Sequence, residues 1–213
     1  SDPFKDVNGK GITKLNYVIG THPHEDHIGG LDDVINSDLK IENLWMPKIQ
    51  TNTKTFEDVL DAVKNKGLKV TAPNKGDSFE IGKAKCEVMT DSILNKDNLN
   101  LSSIVIRLEF ENNSFLFMGD AETANEKTRT WMKTDVLKVG HHGSNTSSSE
   151  DFLKQINPTY AVIMAGKNNS YGLPKQKILD RLAKIGAKVY RTDEEGTIMM
   201  ISNGNNIEVK ENT

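Results

Sequence analysis

The stretch THPHEDHIGGL, from Thr21 to Leu31, places three of the chain's five histidines within six residues. With the aspartate among them, this one loop offers four side chains that can ligate a metal: His22, His24, Asp26 and His27. Imidazole and carboxylate groups suit zinc, manganese or iron(II), and the loop has no thiolate to favour a softer metal. The alternative, a histidine-rich surface loop, gives no reason for the clustering. The stretch therefore predicts a metal-binding loop.

The spacing within the loop predicts two groups of ligands. Residues Leu15 to Ile19 form an apolar run that predicts a strand leading into the loop. His22 and His24 are two positions apart, so their side chains can lean the same way. Asp26 and His27 lie beyond the turn and can face a second metal.

Asp120 supplies a further carboxylate at the end of a predicted strand. It follows the apolar run FLFM and a glycine, and the carboxyl ends of strands are where α/β sites gather their ligands. One carboxylate in this position can bridge two metals. The alternative role is capping of a helix predicted over Ala121 to Met132.

The motif VGHHGS, from Val139 to Ser144, also ends a predicted strand and contains the other two histidines. We expect one of them, His141, to ligate a metal and His142 to steady developing negative charge or a bound phosphate. Ser144 and the hydroxyls after it precede a helix, whose N-terminus would suit an anion. Simple capping of that helix by the later serines is the alternative.

Composition limits the class of protein and of partner. The chain has 213 residues and a formal net charge of −3, so no general basic field gathers nucleic acid and any such contact must be local. No apolar run reaches the roughly 20 residues of a membrane-spanning helix. The one cysteine, Cys86, excludes an intrachain disulfide and lies in a predicted strand, where we expect a structural role. The composition does not distinguish a cytoplasmic protein from one at the cell surface or outside the cell after removal of a signal.

Short strands alternate with amphipathic helices along the whole chain, which predicts one α/β domain over 1–213 with two sheets covered by helices. A helix is predicted over Pro174 to Ile185, with the proline in its first turn.

Five stretches in order carry a family resemblance. THPHEDHIGGL resembles the HxHxDH signature of the metallo-β-lactamase superfamily. The stretches SSIVIRLEF, FLFMGDAE, VLKVGHHGS and VYRTDEEGTI are similar to the C-terminal domain of ComEC-type DNA-uptake proteins and their stand-alone relatives. The resemblance covers the chain from about Leu15 onward and implies an αββα sandwich with metals at one edge, between the sheets.

The resemblance also implies roles for residues. His22 and His24 would hold one divalent ion, zinc or manganese. Asp26 and His27 would hold a second ion, and Asp120 would bridge the two. His141 and His142 would complete the site or bind substrate. The implied reaction is attack on phosphorus or a carbonyl by metal-activated water, with Asp26 passing a proton to the leaving group.

Three departures from the family pattern bear on these roles. Leu173 stands where relatives carry a histidine, in Tyr171-Gly172-Leu173-Pro174, so we expect a weak or absent second metal. A further histidine of the superfamily is missing around Asn100 to Ser103. No Asp-x-Gly-x-Gly-Asp motif precedes Leu15, which predicts that the N-terminal strands are lacking and leaves a sheet edge that a homo-oligomer could complete.

The leading function is therefore a metal-dependent phosphodiesterase or nuclease. The alternatives are hydrolysis of another ester (a phosphorylcholine ester or a lactam) and a binding protein with a degraded second metal site. Nucleic acid is one candidate substrate, although the acidic composition argues against DNA.

Overall fold

The computed structural model describes residues 11–210, so the expectation about N-terminal strands falls partly outside the described residues. Three parallel strands form a small sheet in the order β1-β2-β3. Their bounds are Lys14–Ile19, Lys40–Trp45 and Val70–Thr71. Helices α1 (Glu25–Ile28), α2 (Leu31–Asn36) and α3 (Lys54–Lys66) connect them. The predicted metal loop lies between β1 and α2 and includes α1.

A seven-stranded sheet faces the small one, in the order β10-β9-β8-β7-β6-β5-β4. Its strands are β4 Ser78–Ile81, β5 Ala84–Val88, β6 Ile106–Phe110, β7 Asn113–Phe117, β8 Val136–Lys138, β9 Tyr160–Ile163 and β10 Lys188–Arg191. Strands β4 to β7 form an antiparallel meander, whereas β7 to β10 run parallel. The remaining elements are α4 Thr123–Glu126, α5 Glu150–Ile156, α6 Gln176–Lys184, α7 Thr192–Glu195, and a hairpin of β11 Met199–Ser202 and β12 Ile207–Lys210.

Three apolar cores separate four layers. One core packs α1 to α3 on the small sheet around Ile35 and Val59. A second lies between the sheets, where Trp45 meets Phe79. The third packs α5 and α6 on the large sheet and includes Phe152. The order helix, sheet, sheet, helix is the αββα sandwich that the sequence predicted.

The sequence prediction was wrong about two helices. Helix α4 covers only Thr123–Glu126, not 121–132, because the buried indole N–H of Trp131 donates to the Glu126 carbonyl at 2.6 Å and so occupies the acceptor that a longer helix would use. Helix α6 begins at Gln176, and Pro174 precedes it, after a cis peptide bond.

Two predictions about composition have an outcome in the structure. Cys86 is buried in β5, and burial raises the pKa of its thiol to about 11, which leaves it protonated and chemically quiet. Among the described residues, no helix has the length and apolar character needed to cross a membrane.

Candidate metal centre

The predicted site residues converge because the strands that carry them end at one edge of the sandwich. The HxHxDH loop follows β1, Asp120 follows β7 and the two adjacent histidines follow β8. Gly119, with φ +54°, lets the loops of the two sheets meet: a Cβ there would lie 3.2 Å from Thr21 Cβ and 3.3 Å from Ser103 Cβ. Ser103 Oγ then accepts the backbone N–H of Asp120 at 3.1 Å.

Four ligand atoms form the tightest group, which we call group A: Asp26, His27, Asp120 and His142, all within 4.8 Å of one another. His142 Nε2 lies 3.1 Å from Asp26 Oδ2 and 3.3 Å from Asp120 Oδ2. His27 Nε2 lies 3.1 Å from Asp120 Oδ1 and 3.1 Å from His142 Nε2. Ligands bound at about 2.0–2.2 Å to one ion lie roughly 3–4 Å apart, so these separations suit a single ion.

The remaining donors near Asp120 are called group B: His22, His24 and His141, with Asp120 itself shared between the groups. His22 Nε2 is 3.1 Å from His24 Nδ1 and 3.8 Å from Asp120 Oδ2. His141 Nε2 is 3.9 Å from the same carboxylate oxygen. Asp120 is thus within reach of both groups, which is the geometry that a bridging carboxylate requires.

Hydrogen bonds to the far nitrogens fix which ring nitrogen faces the centre. His142 Nδ1 lies 2.6 Å from the backbone oxygen of Met164, to which it donates. His141 Nδ1 lies 3.3 Å from Glu122 Oε1 and 2.9 Å from Thr146 Oγ1. Such partners commonly orient metal-bound histidines and raise their basicity, and here they turn both Nε2 atoms toward the ligand groups.

The backbone at His141 and His142 explains why adjacent side chains serve different groups. Both residues are left-handed, with φ of 47° and 52°, a conformation that costs about 1–2 kcal/mol for a residue other than glycine. The turn separates the ring centroids by 6.3 Å at an interplanar angle of 67°. Strain of this kind is concentrated at functional sites.

The electrostatics of group A place a positive charge between carboxylates. Hydrogen bonds to Asp120 and then to Asp26 raise the pKa of His142 to about 10. The bond from His142 in turn lowers the pKa of Asp26 to about 2. At neutral pH the protein without metal therefore carries an imidazolium whose Nε2 proton lies between two carboxylates.

Burial controls the ionisation of the neighbouring groups. Burial first, and then the charge of His27, lower the pKa of His22 to about 3, so that its ring is neutral at physiological pH. Burial alone would raise the pKa of the Asp120 carboxyl, but His142 and His27 outweigh it and hold that pKa well below its usual range. Lys138 Nζ lies 3.9 Å from Asp120 Oδ1 and donates to the Gly119 carbonyl at 2.8 Å.

Two observations indicate that a divalent cation fits these residues. Asp120 Oδ1 is buried and makes no hydrogen bond of good geometry with the described residues, although His27 Nε2 lies 3.1 Å away, so this oxygen can still bind a cation. His142 Nε2 lies 3.1 Å from Asp26 Oδ2 and 3.3 Å from Asp120 Oδ2, close enough for one cation to bind all three atoms. The donor set, imidazole nitrogen and carboxylate oxygen, is that of zinc, manganese and iron(II) sites.

The structure changes the interpretation of two sequence predictions. His142, for which the sequence left metal binding and substrate binding open, has its Nε2 atom in group A. At the N-terminus of α5, where an anion was expected to bind, a side chain of the protein occupies the position. The buried Glu126 carboxyl group accepts hydrogen bonds from the N–H groups of Ser148 and Ser149 at 2.5 and 3.0 Å. Ser144 contacts Thr146, with 3.3 Å between the hydroxyl oxygens, and is only partly buried.

Two residues near the site were missed by sequence reasoning. Glu122 belongs to the same motif as Asp120, two positions further on, and that spacing could have identified it. The other is Lys138, whose side chain is only 13% exposed. No signal in the sequence distinguishes it from a surface lysine, because its burial comes from the neighbouring strands.

Comparison with known proteins identifies the family. The sequence profile described as "Metallo-beta-lactamase superfamily" matches residues 4–167. ComE operon protein 3 of Bacillus subtilis is 36% identical over 200 residues, which cover 92% of this chain and 25% of that protein. Recombination protein 2 of Haemophilus influenzae is 38% identical over 186 residues, covering 86% of this chain and 22% of that protein. This chain thus spans about a quarter of the length of these relatives.

Solved structures share the fold at low sequence identity. CmlA, a diiron beta-hydroxylase from Streptomyces venezuelae, superposes with a TM-score of 0.57 at 11% identity, covering 90% of this chain and 46% of that one. The metallo-beta-lactamase fold protein YhfI from Bacillus subtilis gives 0.53 at 10% identity, covering 83% and 74%. The sequence match, the four-layer architecture and the clustered histidines and aspartates agree: this chain belongs to the metallo-beta-lactamase superfamily.

Proposed function

We propose that the chain is a metal-dependent phosphodiesterase, with a nucleic-acid strand as its leading substrate. One observation carries the proposal: two groups of metal-ligand atoms share the Asp120 carboxylate at an open edge of the sandwich. A pair of ions about 3.5–4 Å apart is the arrangement that stabilises both the attacking and the leaving oxygen of phosphoryl transfer. The relative named Recombination protein 2 supports a nucleic-acid substrate.

The ligand roles follow from the two groups. Asp26, His27 and His142 would hold one ion and His22, His24 and His141 the other, with Asp120 between them. Zinc and manganese both suit this donor set. The expectation that Leu173 cripples the second site is weakened, because group A offers four donors without residue 173.

When bound, divalent ions supply an acidified water and stabilise charge on a phosphoryl group. The protein's own contribution is to hold the donors and to manage protons. The Asp26 side chain is 62% exposed, so it would be placed to move a proton between solvent and the leaving group. Glu122 keeps the Nε2 atom of His141 directed inward, and the Lys138 ammonium offsets the charge of Asp120.

The test begins with metal content. Protein purified without chelator should hold two ions per chain by elemental analysis after addition of Mn²⁺ or Zn²⁺, and should cleave bis-p-nitrophenyl phosphate and DNA. Asp120→Asn, which keeps the shape of the side chain, should lower both occupancy and turnover. Full occupancy without phosphodiester cleavage would refute the proposal and favour another ester as substrate. Occupancy of one ion or none would favour the binding protein with a degraded site.

A further inference from the structure

Tyr171 is an aromatic side chain displayed to solvent beside the metal centre. It is 77% exposed, the largest value among the exposed large apolar side chains of the described residues. Its ring is not needed for the core. Single exposed apolar side chains are common on protein surfaces, so it is the position of Tyr171 beside the ligand residues, rather than its exposure alone, that makes it a candidate for ligand contact.

Two clefts meet at Tyr171. One, of about 400 Å³, extends from Asp26 and His142 to Met164 and Thr192. The other, of about 500 Å³, extends from Asp26 to His24 and His141. Asp26, Tyr171 and Leu173 line both clefts. The two clefts therefore adjoin at Tyr171 and together border four of the ligand residues: His24, Asp26, His141 and His142. We call the two adjoining clefts the groove.

The loop that carries Tyr171 is held in place. Asn169 accepts the N–H of Leu173 at 2.9 Å and donates to the Leu173 carbonyl at 2.7 Å. Lys175 Nζ donates to the Tyr171 carbonyl at 2.6 Å, and the Lys175 N–H donates to the Gly143 carbonyl at 3.0 Å. The backbone of the loop is thereby tied to the turn that presents His141 and His142, so the Cα atom of Tyr171 is held at the edge of the centre.

The walls of the groove are chemically mixed in a way that suits a nucleotide. Met164, which is 50% exposed, and Leu173 offer apolar surface next to Asp26 and His142. A nucleobase needs a flat apolar contact, while its phosphate needs the cation centre. An exposed aromatic ring binds any base through its π-face, at about 1–3 kcal/mol per base.

We propose that Tyr171 is a base-stacking platform that positions the nucleotide next to the scissile phosphate of a single-stranded nucleic acid. A base can stack on a protein ring only after it leaves its own stack, so the platform favours single strands over duplex. The inference rests on the proposed function for its substrate class, but its central claim, recognition of a base, is measured by binding rather than by turnover.

The experiment measures the fluorescence anisotropy of a fluorescein-labelled single-stranded oligo(dT) of about twelve nucleotides. Metal-loaded protein is added to this strand in a buffer that contains Ca²⁺. The comparison ligand is an abasic deoxyribose-phosphate strand of the same length. Tyr171→Ala is compared with Tyr171→Phe, the matched control that keeps the ring. Metal content and thermal melting of each variant establish that the centre and the fold are intact.

We expect Tyr171→Ala to bind oligo(dT) roughly 5- to 150-fold more weakly than wild type, with binding of the abasic strand unchanged. Tyr171→Phe should match wild type. The inference is overturned if Tyr171→Ala keeps wild-type affinity, or if it loses affinity for both strands equally. Cleavage of bis-p-nitrophenyl phosphate by the wild-type chain tests the proposed function separately, because an inactive centre can still bind a base through this ring.

Discussion

Metal uptake should release about one proton per chain from His142 at neutral pH. The pKa of this side chain is raised to about 10 by its contacts with Asp120 and Asp26, so at pH 7.5 roughly 99% of the metal-free molecules carry the proton. A cation coordinated by Nε2 replaces that proton, since both require the same lone pair. Group A therefore exchanges a proton for a divalent cation when it binds a metal.

Isothermal titration with Mn²⁺ measures this release when it is repeated in two buffers of similar pKa but different enthalpy of ionisation. The difference in heat should correspond to about one proton for wild type. Leu173→Ala is the control, because Leu173 lines the same clefts but carries no titratable proton. This variant should release the same number of protons as wild type. His142→Asn should release none. Equal heats in the two buffers for wild type would refute the reasoning.

The same pKa makes a prediction for the metal-free protein. A folded-state pKa of about 10 against 6.5 unfolded gives stability that is fully present below pH 6.5 and lost as pH rises through 10. Relative to His142→Asn, wild type should therefore lose about 2–3 kcal/mol of unfolding free energy between pH 7 and pH 9. Urea denaturation in the presence of chelator measures it, and parallel pH profiles for the two proteins would contradict the assignment.

Three further substitutions test the surroundings of the centre. Glu126→Ala leaves two backbone N–H groups at the start of α5 without an acceptor and should lower the unfolding free energy by about 2–4 kcal/mol, with metal content unchanged; an unaltered urea midpoint would contradict this. Glu122→Gln should weaken metal binding by roughly 10- to 100-fold through the histidine that it orients, measured by competition with a chelator; wild-type affinity would exclude the role. Gly143→Ala places a Cβ 2.7 Å from Pro174 Cβ at a φ of +80° and should lower the unfolding free energy by about 1–3 kcal/mol, which thermal melting measures. Gly166→Ala is the control: its Cβ meets nothing nearer than 3.9 Å, so its melting temperature should be much closer to that of wild type.

The fold could be predicted from the sequence where local pattern and tertiary packing agree. Helix α3 is an example: Phe56, Val59 and Val63 recur at helical spacing, and Gly67 ends the helix with φ +67°. The helix predicted at 121–132 failed because Trp131 packs against Phe152, a residue of a distant element, with ring centroids 5.0 Å apart. No local propensity carries that information.

The candidate site was predictable in its residue types and less so in their grouping. Clustered histidines and a strand-end aspartate identify ligands without any structure. Which of His141 and His142 faces which group depends on two left-handed residues and on the carbonyl of Met164, which is 22 positions away from the histidine that it anchors. Contacts of that range are set by the packing of β8 beside β9.

The two ligand groups draw on both sheets, since the HxHxDH loop follows a strand of the small sheet whereas Asp120 and the adjacent histidines follow strands of the large one. Ions bound by ligands from both sheets would cross-link the two layers. Unfolding of the loaded protein should then be a single cooperative transition, while stripped protein can part its layers before either sheet melts. A chromogenic chelator present during heating would report the temperature at which metal is released. That temperature should correspond to separation of the two sheets rather than to loss of secondary structure.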